Sequence, residues 1–133
     1  MRARLALIPA LVLAGCGGDA PPAAKPRPKT AHAEPPKRVH CPRTAPPSCR
    51  SALGRVLYVE AVDPDGDGDA HFVLASRPGI SGPGITSIDV ERTLRPRRLP
   101  RVGDWVTAAG PVYRGSYGQR QIEAVALRIK RVP

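Results

Sequence analysis

Hydrophobic positions in the second part of the chain recur with the period of a β-strand. Leu53 to Val62 (LGRVLYVEAV) is rich in β-formers, His71 to Leu74 (HFVL) is short and apolar, and Ile85 to Val90 (ITSIDV) alternates apolar with polar side chains. Trp105 to Tyr113 (WVTAAGPVY) and Ile122 to Val132 (IEAVALRIKRV) complete five predicted strands. Between them lie DPDGDGD, SRPGISGPG, PRVGD and RGSYGQ, all built from turn formers. Val90 to Val102 (VERTLRPRRLPRV) breaks the rhythm: it holds two prolines and has room for a helical turn at most. Short strands at this spacing predict an all-β sandwich or barrel. With Ile88 and Val90 turned inward, Ser87, Asp89 and Glu91 face out. Phe72 and Trp105 are expected in the core, and His71 at a sheet edge.

The first part of the chain has a different texture. Arg2 and Arg4 precede an apolar run, Leu5 to Ala14 (LALIPALVLA). Ten helical residues span about 15 Å, half the bilayer's hydrocarbon, so the run reads as a secretory signal over residues 1–15 and not as a membrane span. Residues 17–50 hold nine prolines, and seven basic residues against two acidic ones. Such a segment buries too little apolar surface to offset its ordering entropy, and its prolines favour extended conformations. The expectation is a disordered Pro/Lys/Arg-rich tether over 16–50 that carries a β-domain over 51–133. Basic residues in the tether could also touch anionic lipid headgroups.

Leu13-Ala14-Gly15-Cys16 resembles the lipobox of bacterial lipoproteins. The resemblance implies cleavage before Cys16, diacylglycerol on its sulfur and acylation of the new amino terminus, with palmitate the usual chain. Two or more chains anchor a protein stably where one is marginal. The implied location is the extracytoplasmic side of a cell membrane. With Cys16 lipidated, Cys41 and Cys49 remain as an even pair in an oxidising compartment, separated by the turn-forming PRTAPPS, and a disulfide is expected. A metal site is disfavoured because two thiols and His40 lack a fourth ligand, and a redox role because the spacing is not C-x-x-C.

Three strands, a crossover and two strands is the order of an OB-fold, a five-stranded Greek-key barrel. Gly103-Asp104-Trp105-Val106 followed by Gly110-Pro111-Val112 resembles the fourth strand of small OB modules. The DGD turn, Leu94-Arg95-Pro96 and Tyr117-Gly118-Gln119 are similar to secreted bacterial OB-like domains. The fold expectation is thus an all-β, small five-stranded OB-like Greek-key barrel, behind a signal peptide and a disordered tether.

Candidate chemistry is sparse. Asp63, Asp65, Asp67 and Asp69 fall at positions 1, 3, 5 and 7 of an EF-hand-like loop with Gly68 at its turn, but position 12 is Leu74 where a bidentate carboxylate is needed. A weak calcium site and a plain hairpin turn both remain open. The sequence holds no nucleophile–base constellation, P-loop or G-x-G-x-x-G, so no enzyme and no cofactor are expected. Net charge is +10, yet the domain holds twelve basic against nine acidic residues. Its arginines cluster: Arg92, Arg95, Arg97, Arg98 and Arg101 crowd the crossover, and Arg114 and Arg120 bracket Tyr117. Arg95, Arg97, Arg98, Arg114, Tyr117 and Arg120 are the candidate ligand contacts. The expected role is a monomeric binding module for an envelope protein or an anionic polymer. A nucleic-acid-binding OB domain is the alternative, weakened by Asp89 and Glu91 on the outward face, where they repel phosphate. A calcium-stabilised structural module is a further one.

Overall fold

The computed structural model describes residues 33–60, 66 and 68–133. Cys16 and Asp63, Asp65 and Asp67 lie outside the described residues, so the expected lipidation site and most of the acidic turn do too. Six strands form one sheet: β1 (Cys49–Glu60), β2 (Ala70–Ser76), β3 (Ile85–Val90), β4 (Trp105–Arg114), β5 (Arg120–Glu123) and β6 (Ala126–Lys130). β1, β2, β3, β5 and β4 are neighbours in that order, and β4 pairs back onto β1, so five strands close into a ring. Pairing is antiparallel except for β3 with β5.

The all-β expectation holds, with one correction. The predicted fifth strand, Ile122 to Val132, is two strands. β5 runs parallel to β3, then Ala124 N–H donates to Asp89 O and Val125 N–H to Ala109 O, and the chain continues as β6 along β4. The break sits where β4 passes close to the β5 backbone at Gly110: a Cβ there would collide with the carbonyl oxygen of Glu123.

Alternation builds the core. Val56, Phe72, Leu74, Ile88, Val90, Val106 and Ile122 are fully buried, and Ala52, Ala70 and Ala108 fill the narrow places between them. Trp105 is not among them. It lies half-buried on the outer side, its indole N–H donating to Ala33 O at 2.9 Å and its ring 4.4 Å beneath the Arg55 guanidinium.

In β1 the register slips between Val56 and Tyr58, leaving Leu57 as a bulge. Strict alternation from Val56 would turn Tyr58 and Glu60 inward. The extra residue reverses the phase, so Val59 packs on the core while Tyr58 pairs with Val73, and Glu60 with His71, on the outer face.

Part of the expected tether is hydrogen-bonded to the sheet. Ala33, Glu34 and Lys37 carbonyls accept from Trp105, Lys130 and Arg128, and Val39 N–H donates to Thr107 Oγ1 at 3.1 Å. A proline-rich extended chain offers unpaired carbonyls, and β4 and β6 supply the donors. The Cys41–Cys49 disulfide forms as expected and clips this segment to the start of β1.

The crossover from Glu91 contains one turn, with Leu94 and Arg95 N–H both bonded to Glu91 O, and Leu94 and Leu99 pack on the core. It ends at Gly103, which takes a positive φ of 92°, and at buried Asp104, whose carboxylate accepts from Arg101 and Val132 N–H. The Gly-Asp pair therefore fastens the crossover and the last residues of the chain to the entry of β4.

Candidate functional site

The β4–β5 hairpin organises the two concave surfaces of interest. Its turn is closed by Gly115 N–H to Gln119 O and by Gly118 N–H to Gly115 O, with Gly118 at φ 78°. This fixes the register: Val112 faces Ile122, Tyr113 faces Gln121, and Arg114 faces Arg120. Val112 and Ile122 belong to the core side of the sheet, so by the period of two Arg114 and Arg120 extend that side past the end of the core.

There they meet Arg50 of β1. The three arginines, with Ser48, Val112 and Tyr113, line a cleft of about 460 Å³. Arg50 is braced by the carbonyls of Pro47 and Cys49, and Arg114 by that of Gly118. Among the described residues no carboxylate stands within ion-pair distance of any of the three. Like charges directly opposite on paired strands repel, so the Arg114–Arg120 pair costs the free protein stability.

On the other side of the hairpin, a groove of about 380 Å³ crosses the outer face of β1, β2 and β3. Tyr58 and Tyr117 flank it, and Glu60, His71, Gln119 and Gln121 line its floor. Tyr117 is 89% exposed. A polar chain runs across the strands beneath it: Gln119 Nε2 donates to Gln121 Oε1 at 3.1 Å, and Gln121 Nε2 to Asp89 Oδ2 at 3.0 Å. Asp89 Oδ1 lies 3.6 Å from His71 Nε2, and His71 Nδ1 lies 3.4 Å from Glu60 Oε2. His71, expected at an edge, is thus in a strand paired on both sides, facing a carboxylate from each neighbour.

No protein-family model matches the chain, and no curated protein matches it.

The predicted contacts are divided among three places. Arg114 and Arg120 meet in the cleft, and Tyr117 stands over the groove. Arg95 is committed elsewhere: its guanidinium donates to Gly68 O and Asp69 O, while Asp69 Oδ1 accepts from Arg92 N–H. These bonds tie the end of the acidic turn to the crossover. Arg97 and Arg98 are exposed on the crossover, and Arg98 O accepts from Arg131. Neither lines the cleft. Among the described residues no group of three His, Cys, Asp or Glu side chains is arranged to hold a metal ion. Arg50 was hidden from sequence reading by its place in the proline-rich segment. Gln119 falls in the predicted RGSYGQ turn and Gln121 between that turn and the strand predicted from Ile122, so no local pattern pairs them.

Glu123 sits beside the acidic rim of this face. Partial burial first, then a hydrogen bond to and the charge of Glu91, then the charges of Asp89 and Asp69, raise its pKa above the ordinary 4.5. The folded state therefore binds this proton more tightly than the unfolded chain. Its stabilising contribution is complete below 4.5 and is lost as pH rises through the elevated value. Glu123→Gln should raise Tm at pH 7 by about 1–3 °C, solvent screening keeping the effect small, and the gain should vanish near pH 4 in a thermal melt series.

Proposed function

We propose that this chain is a membrane-anchored extracytoplasmic lipoprotein, lipidated on Cys16, that presents an OB-like barrel to hold an anionic envelope polymer. The five-strand ring, with its crossover between the third and fourth strands, supports the OB-like reading. The observation that carries the binding role is the Arg114–Arg120 cross-strand pair with Arg50 beside it and no described carboxylate within reach. Guanidinium groups present planar donor forks that match phosphate and carboxylate oxygens, and a bound anion would turn their mutual repulsion into joint attraction. Val112 and Tyr113 give the cleft an apolar wall against which such a contact is partly shielded from water. The strand face across the hairpin carries Glu60 and Asp89, which argues against a nucleic acid lying over it.

Binding of poly(glycerol phosphate) to the full chain in detergent tests the proposal. Affinity should fall steeply with salt. The double variant Arg114→Ala/Arg120→Ala should bind roughly tenfold or more weakly and melt no lower than the parent. Affinity that is indifferent to salt or to this substitution would remove the anionic polymer. A mature N-terminus other than a lipid-modified Cys16, by mass spectrometry of membrane-extracted protein, would remove the anchor.

A further inference from the structure

We infer that the groove between Tyr58 and Tyr117 is a second binding site, and that it takes a neutral, hydroxyl-rich ligand of the oligosaccharide class. The inference is independent of the anion cleft and uses none of its residues.

The polar chain on the groove floor has a fixed direction. Asp89 is a carboxylate and accepts only, so Gln121 must present its NH₂ to Asp89 Oδ2. That turns Gln121 Oε1 toward Gln119, which must answer with its own NH₂. Gln119 Oε1 is therefore the acceptor left at the end of the series. It is buried and has no hydrogen-bond partner among the described residues. A buried acceptor without a donor costs free energy, and native proteins seldom keep one without a use. The amide cannot rotate to relieve it without placing two oxygens face to face. A ligand that brings an O–H or N–H to this point completes the series.

The walls narrow the ligand class. Tyr58 and Tyr117 are exposed by 57% and 89%, and each ring offers a flat face bearing negative charge density. The C–H face of a pyranose ring is the complementary surface. Glu60 and Asp89 repel anions, which excludes phosphorylated or sulfated ligands here. The same carboxylates already face His71, so they act as oriented acceptors shared with a neighbour more than as bare charges seeking a cation. β2 is paired on both sides along the floor, so an added peptide strand finds no free main-chain groups, and recognition must come from side chains. The groove's volume lies within the range of about 300–1,000 Å³ usual for small-ligand sites. The Leu57 bulge is what brings Tyr58 and Glu60 to this face.

The test uses the full chain in detergent, titrated with tetra-N-acetylchitotetraose and with cellotetraose by calorimetry and by amide chemical shifts. At least one glycan should bind below about 5 mM. Shifts should centre on Gln119, Gln121 and His71, and affinity should hold across about a tenfold rise in salt. Tyr117→Ala, at a site too exposed to disturb folding, should weaken binding about tenfold, and Gln119→Ala about fivefold. The inference is overturned if neither glycan binds, if Tyr117→Ala leaves affinity unchanged, or if tetralysine occupies the groove in their place.

Discussion

Gly110→Ala is expected to destabilise the protein by about 3 kcal/mol or more, a fall in Tm of roughly 12 °C or more. The Cβ would collide with the carbonyl oxygen of Glu123, a backbone atom that cannot rotate aside. Relief requires β4 and β5 to separate where β4 switches its partner from β6 to β5, and both the arginine cleft and the groove depend on that hairpin. Gly82→Ala is the control: nothing lies within 4 Å of a Cβ there, its φ is not positive, and its cost should stay within about 0.5 kcal/mol. Urea denaturation of the two variants measures the difference. Equal stability would mean that the close approach of β4 to β5 is not a constraint.

The second large effect concerns the disulfide. Replacing Cys41 and Cys49 together by serine should cost about 2–3 kcal/mol in the chain-entropy account of a short closed loop. The loss should be local in character. Hydrogen exchange at Val39, whose N–H bonds Thr107 across the outer side of β4, should accelerate more than exchange at Ile88 in the core. Arg50 follows Cys49 directly and is braced by Pro47 and Cys49 carbonyls, so the same variant should also weaken polyanion binding. Uniform acceleration across the molecule would show that the clip supports the whole fold and not one flank.

What the sequence revealed follows the range of the interactions involved. Strand positions at Phe72, Ile88 and Val106 were legible because alternation is a local property. The crossover turn at Glu91–Arg95 was legible from the prolines that follow it. The division of β5 from β6 was not, because it arises where Gly110 meets Glu123 from another strand. The Leu57 bulge has no sequence signal for a related reason: a single inserted residue reverses the phase within Val56–Val59, which is apolar at every position. Trp105 has the apolar bulk of a core residue, but Arg55 and the Ala33 carbonyl, from a distant segment, give it a surface seat. At the site, Arg114, Tyr117 and Arg120 could be picked out as a loop cluster, but only the hairpin register separates the arginines from the tyrosine onto opposite faces. Gln121 and Asp89 belong to strands that run parallel and are distant in sequence, and no spacing rule joins them.

The ring has a consequence for how the molecule comes into being. Its first strand is held by the fourth, more than forty residues later, and its third by the fifth. Pairings of such long range are slow to form, since chain entropy must be lost before any contact rewards it. A chain emerging N-terminus first from a ribosome presents Cys41 and Cys49 early, but it cannot close the circle until residues near 120 have appeared. Until β5 arrives the ring stays open between β3 and β4, and each keeps an unpaired edge where β5 will lie.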